Sequence, residues 1–287
     1  MRRATALVLG LALTLAACGS KAEAKTIVHE ASTKTADAHT ARMALDIKIK
    51  AKSGAAPTEI TGAGVFDLTK HAGTMDLKLP AFGGQNLGSI EVRILDKLVY
   101  EKLPAQLASL AGSKGWVKID TEALAKQNGL DINGLAQSQG TDPSQFLDLL
   151  KSVSDDIKEV GKEKLRGAET THYHGTVDLG KAIAANPQLD AEAKTNLGSL
   201  YKNLTGPADV WIDSDGRLRK MTYSIDASKF DPSAVSSNPK VAAGLQQIAG
   251  IDFTLELYQF GVPVSVTAPP ANETTDLSSL TGGAGLG

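Results

Sequence analysis

The chain has 287 residues, 42% of them hydrophobic and 22% charged, with a net charge of −2 and a single cysteine, Cys18. That length suits one large domain or two smaller ones, the lone cysteine excludes an intrachain disulfide, and the acidic balance excludes the basic footprint of a nucleic-acid binder. With 5% aromatic residues, stability must come from burying aliphatic surface, worth about 25 cal/mol per Å².

Arg2 and Arg3 open the chain, and Ala4 to Ala17 form an apolar run shorter than the roughly 20 residues a spanning helix needs. Residues 1–17 read as a secretory signal peptide ending in small residues. Leu15-Ala16-Ala17-Cys18, followed by Gly19-Ser20, resembles the lipobox of bacterial lipoproteins. The resemblance implies that Cys18 takes a diacylglyceryl group on sulfur and becomes the mature N-terminus, anchored to the cell membrane on its extracytoplasmic face. The plainer reading is an ordinary signal with a cysteine near the cut, which leaves an unpaired thiol in an exported protein. Two acyl chains suffice for stable anchoring. No cluster of Lys or Arg lies beside Cys18 in the sequence, so attachment is expected from the lipid alone.

Residues 18–41 are polar and Ala/Thr-rich, a lipidated tether with one short helix. From Met43 the period becomes two: Met43, Leu45, Ile47 and Ile49 alternate with Ala44, Asp46, Lys48 and Lys50, a half-buried strand. Ser53 to Pro57 turns the chain, and Ile60, Gly62, Gly64, Phe66 and Leu68 share one face of the next strand. Further strands follow at Met75–Leu79, Ile90–Ile94, Leu98–Tyr100 and Trp116–Ile119, a meander with one apolar face that needs a cover. Asp142-Pro143-Ser144-Gln145 has the chemistry of a helix start. Phe146, Leu149, Leu150, Val153, Ile157 and Val160 then recur at helical spacing, predicting a covering helix. Shorter helices are read over Glu122–Gln127, Lys181–Ala185, Ala191–Tyr201 and Pro239–Ala249. Strands resume at Glu169, where Tyr173, Val177 and Leu179 share one face and His172, His174 and Thr176 the other. Asp215-Gly216 separates two strands, a hairpin signal. The last strands are read at Asp252–Tyr258 and Val262–Val266, and residues 276–287 as a flexible tail.

Few groups suggest chemistry. His172 and His174 on one strand face could hold a metal, or form a hydrogen-bonded polar face, which the scarcity of further ligands favours. Asp213-Ser214-Asp215-Gly216 resembles the start of a calcium loop, but the glycine comes one ligand too early, so a hairpin turn is preferred. Asp155-Asp156 has no evident partners, and no serine stands in a nucleophile elbow. The chain reads as a non-enzyme without a cofactor other than the acyl group on Cys18.

The run Arg166 to Asp178, Asp209-Val210-Trp211-Ile212-Asp213 and Gly216-Arg217-Leu218, together with the lipobox and meander, resemble actinobacterial lipoproteins. They are similar to the mycobacterial lipid-carrier lipoproteins and, more distantly, to the LolA/LolB periplasmic carriers. The resemblance implies an α+β fold over residues 42–275: a single large curved antiparallel sheet, a half-barrel with helices packed on its concave face. It also implies an apolar cavity for a lipid or glycolipid carried within the cell envelope, with an envelope transporter or regulator as partner. The inward-reading cavity positions are Leu45, Ile47, Phe66, Leu68, Leu77, Ile94, Phe146, Leu150, Trp211 and Tyr223, each equally readable as plain core. The alternative is an envelope-sensing lipoprotein, similar to the RseB-like relatives, acting by protein contact through an exposed patch.

Overall fold

Period-two alternation of apolar side chains becomes strand wherever a neighbour can pair with it, and here it builds one sheet across almost the whole chain. The computed structural model describes residues 21–82, 85–105, 108, 114–121, 123, 147, 149–151, 153–154, 156–185, 191, 194–195, 198, 201–202, 204–229 and 239–281. Cys18, Phe146, Asp155, the signal segment and the helix start at Asp142 therefore lie outside the described residues, as do most of the helices read at Glu122–Gln127 and Ala191–Tyr201.

The elements are α1 (Lys21–Ala36), β1 (Thr40–Ala51), β2 (Thr58–Asp67), β3 (Ala72–Lys78), β4 (Ala81–Phe82), β5 (Gln85–Asn86), β6 (Ser89–Leu95), β7 (Leu98–Lys102) and β8 (Trp116–Asp120). There follow β9 (Lys158–Leu165), β10 (Ala168–Asp178), α2 (Leu179–Ala185), β11 (Thr205–Asp213), β12 (Leu218–Asp226), α3 (Pro239–Gln246), β13 (Ile248–Tyr258), β14 (Thr274–Asp276) and α4 (Leu277–Thr281). Twelve strands form one sheet in the order β14-β8-β7-β6-β3-β2-β1-β13-β12-β11-β10-β9, while β4 and β5 pair separately. Its edges, β14 and β9, do not meet, so the sheet is open. Every pairing in it is antiparallel except β14 with β8, which is parallel; the sheet is mixed at that one edge. Thus two meanders, β1 to β8 and β9 to β13, are joined where the first strand meets the thirteenth, Leu45 opposite Leu255 and Ile47 opposite Phe253.

Tight turns set the register. Arg166 and Gly167 both have positive φ, 46° and 83°, the two-residue turn that matches strand twist, while Gly216 at 80° lets the longer turn from Asp213 to Arg217 close between β11 and β12. At the end of β2, Asp67 accepts from the Thr69 hydroxyl at 2.8 Å and from the Lys70 and Thr69 amides at 2.9 and 3.1 Å. Burial alone would push this carboxyl up, but those bonds and the Lys70 ammonium outweigh it and hold it at about 2, down from 3.8. A depressed pKa stabilises the folded state above the unfolded value and is lost as pH falls through the folded one. We therefore expect a loss of about 2 kcal/mol between pH 4 and pH 2, absent from Asp67→Asn, in urea midpoints measured across that range.

Several expectations are corrected. In place of a tether with a short helix, α1 runs for 16 residues and docks on the sheet through Ala24, Val28, Ala31, Ser32 and Thr35, all buried. Thr35 fastens it, donating to Ala31 O at 2.5 Å and accepting the Leu218 amide at 2.8 Å. The long helix read to Val160 is not one element: Leu147, Leu149 and Leu150 are helical, Val153 bridges to Val177 and β9 begins at Lys158. Pairing with β10 overrides the helical preference of its Lys and Glu residues. Leu179 starts α2 instead of ending β10, and α3 stops at Gln246 because Ile248 already pairs with Ala51. Residues 262–266 join no ladder; prolines at 263, 269 and 270 cannot donate to one. That stretch crosses the outer face, where Arg93 Nη1 donates to Thr267 O at 3.0 Å. Thr274 to Thr281, expected to lie largely in a flexible tail, adds β14 and α4, tied by Lys118 to Asp276 at 2.6 Å. Among the described residues no helix is long and apolar enough to cross a membrane.

Candidate functional site

Directly opposed residues of antiparallel neighbours share a face, so the register sorts each side chain. On the inner face, under α1, one apolar cluster includes Leu45, Phe66, Leu68, Ile94 and Leu150, with Ile47, Leu77 and Tyr223 packed against it. Eight of the ten positions read from the sequence thus come together. Glycines make the room: a Cβ on Gly73 would lie 2.6 Å from the Phe66 ring, and one on Gly62 would lie 2.7 Å from the Leu77 side chain.

Trp211 does not belong to this cluster. It stands opposite His172 and Lys220, one residue out of phase with the inward Val210 and Ile212, and so lies on the outer face. Its burial there comes from His172, stacked on it at 4.3 Å with ring planes 12° apart, and from the Lys220 ammonium 4.8 Å over its ring. Beside it, His172 Nε2 and His174 Nδ1 both bond Asp209 Oδ1, at 2.8 and 2.9 Å. Glu163 Oε1 lies 3.0 Å from His172 Nδ1, without hydrogen-bond alignment. The two histidines form a hydrogen-bonded strand face. No group of three or more His, Cys, Asp or Glu among the described residues is arranged to hold a metal ion. Asp156 is spent on Thr176, accepting from its amide and hydroxyl.

Burial along the inner face changes in one direction. On β1, Ala41, Met43 and Leu45 are buried while Ile47 and Ile49 are half-buried; on β3, Met75 is buried while Leu77 and Leu79 beyond it are half-buried. On β6 burial falls from Ile94 and Val92 to Ile90, on β12 from Leu218 and Met221 to Tyr223 and Ile225, and on β13 from Leu257, Leu255 and Phe253 to Ile251. The register aligns these five gradients. Two residues of strand span about 6.8 Å, so the apolar face is sealed at the Phe66 end and reachable from solvent two to three side-chain rows away.

That reachable end is aliphatic with one phenol. Tyr223 stacks on Phe253 at 4.9 Å, and burial, helped by nearby Tyr201, pushes its hydroxyl well above the ordinary range, so it stays a neutral hydrogen-bond donor. Sequence reading missed a second polar group, one row nearer the sealed end. Glu101 alternates inward with Val99 and stands between Val92 and Val117, and burial pushes its carboxyl up. The signal was the parity of Leu98-Val99-Tyr100-Glu101, which places a carboxyl on the apolar side. The groove on the outer face beneath residues 265–267 is lined by Thr74, Asp76, Glu91, Arg93, Ser265 and Thr267 besides Met75 and Val266, unlike an acyl-chain site.

No family model matches the chain. A candidate lipoprotein of Streptomyces coelicolor is 27% identical over 193 residues, which cover 67% of this chain and 53% of that protein. The chain is similar to actinobacterial lipoproteins. An uncharacterized 31.2 kDa protein from the rplA–rplJ intergenic region of Streptomyces griseus is 28% identical over 225 residues, 76% of this chain and 66% of that one. The matches span less than two thirds of either relative. The crystal structure of the Mycobacterium tuberculosis lipoprotein LppX shares 15% identity, with 84% of this chain and 99% of that one covered and a TM-score of 0.43.

Proposed function

We propose that this protein is a lipoprotein, anchored through an acylated Cys18 on the extracytoplasmic face of the cell membrane, that takes an acyl chain onto its inner face and passes it on without covalent chemistry. The observation that carries the reading is the aligned burial gradient: an apolar face closed at one end and open at the other accepts an elongated apolar molecule end-on. Acyl chains gain about 0.8 kcal/mol per methylene buried, and sites for apolar ligands combine such walls with few polar groups. The Tyr223 hydroxyl would donate to an ester or carboxyl oxygen at the mouth. Similarity to a lipoprotein sequence supports the anchoring. The alternative of docking to a regulator calls for an exposed apolar or charged patch and no bound lipid; among the described residues Val160 is the single large hydrophobe that is exposed.

The test is native mass spectrometry with lipid extraction on a soluble chain beginning at Gly19, purified from its own host. A stoichiometric acyl lipid is expected. Ile47→Trp, at a half-buried position that tolerates bulk, should reduce its occupancy by about tenfold, equivalent to 1.4 kcal/mol, in a protein with unchanged circular dichroism. Empty protein that also fails to take up added phospholipid or glycolipid would defeat the carrier reading.

A further inference from the structure

We propose that the free edge of the sheet, β9, is the surface this protein lays against the lipid bilayer. The proposal rests on the acylation of Cys18 and adds a protein-borne contact where the sequence suggested attachment by lipid alone.

Covalent reach comes first. Helix α1 starts at Lys21, and three Cα–Cα steps of 3.8 Å separate it from Cys18, about 11 Å at most. A docked helix replaces the expected tether, so the anchor cannot stray far from the first turn of α1. Helix α1 packs against β9 as well as β11 and β12, and the charges of Glu23 in its first turn and Glu159 of β9 both act on the Tyr173 hydroxyl, while the other end of α1 is fixed to Leu218 on β12. The helix therefore crosses from β12 toward the sheet edge and delivers the anchor there.

The edge itself is unusual. Register slips between His172, opposite Gly161, and Tyr173, opposite Glu159, which leaves Val160 as the extra residue of a β-bulge. Bulges at edges re-aim a side chain, and Val160 is 55% exposed. On either side of it, Lys158 and Lys162 are exposed and form no ion pair among the described residues, whereas Lys164 pairs with Glu169 and Arg166 with Glu256. An aliphatic side chain flanked by free ammonium groups matches the boundary between acyl chains and anionic headgroups, where lysine stems lie along apolar surface and their charges reach the phosphates. Lysines on an edge strand also discourage strand pairing with another protein, which leaves the bilayer as the occupant that these residues fit.

The experiment uses the full acylated chain, with Val160→Cys or, at the opposite edge, Ser278→Cys, each labelled with an environment-sensitive fluorophore. The proteins are reconstituted into phosphatidylcholine–phosphatidylglycerol vesicles carrying nitroxide-labelled lipid. The expected result is a blue-shifted emission at position 160, quenched severalfold more than at position 278, with the difference reduced by Lys158→Glu together with Lys162→Glu. Mass spectrometry of the same preparations reports the acyl group on Cys18. Acylated protein with equal quenching at the two positions overturns the bilayer contact alone. A Cys18 without an acyl group overturns the anchoring reading and this proposal with it.

Discussion

Phe66→Ala is expected to destabilise the protein by about 3–5 kcal/mol, seen as a lower urea midpoint at an unchanged slope. Phe66 is fully buried in the sealed row of the inner face, with Ala41 opposite it on β1 and Gly73 on β3, followed by Ile94 on β6. Its neighbours cannot collapse into the gap, because the positions facing it across both ladders are the two smallest side chains available. The cavity stays open, so the lost contacts add to the lost transfer energy. The aromatic ring also closes the inner face at this end. The variant should therefore let solvent into the apolar interior from both ends and raise the background uptake of apolar dyes.

Asp213→Ala should have an effect of similar size, about 3 kcal/mol. The carboxylate is 7% exposed. Oδ1 accepts the amides of Asp215 and Arg217 at 3.0 and 2.9 Å, and Oδ2 accepts Arg217 Nε at 3.1 Å with Arg219 Nη1 at 3.5 Å. Alanine removes the acceptor of all four donors and leaves two guanidinium groups over the ring of Phe260, Arg219 without its Asp213 partner and Arg217 with the exposed Asp215 carboxylate alone. Asp213→Asn keeps an acceptor for the turn amides and should lose about 1–2 kcal/mol. Because both oxygens are already engaged by N–H groups, calcium is expected to leave the melting curve of the native chain unmoved. Thermal denaturation of the three proteins, with and without calcium, checks all of this.

Much of the sheet was legible because its strands are half-buried and carry the period-two pattern openly. Met43-Leu45-Ile47 and Ile90-Val92-Ile94 need no other information to be read. What was missed follows from where that signal fails. In β9 the sequence Lys158-Glu159-Val160-Gly161-Lys162-Glu163-Lys164 has no buried face to alternate, since an edge strand is solvated on most sides, and its charges mimic a helix. In Val210-Trp211-Ile212 every residue is apolar, so parity is ambiguous; only the pairing of Trp211 with His172 decides that the indole points outward. Helix α1 hides its docking face in small residues, Ala24, Ala31, Ser32 and Thr35, that no hydropathy pattern marks. Of the candidate site, the aliphatic positions were readable as inward-facing, but the gradient from sealed to reachable is a property of the assembled rows. Glu101 was readable by parity alone and was overlooked because a carboxyl contradicts the expectation for a core position.

The seam between β1 and β13 sets the order in which the molecule can be assembled. Each meander is built from neighbours in the chain and can form before the rest of the chain is available. The seam cannot: Arg42 waits for Tyr258, and closing so long a loop is slow relative to hairpin formation. Until then the apolar faces of both halves stand open to solvent. The seam thus joins the two halves of the inner face into one, and a chain truncated before β13 would be left with that face divided.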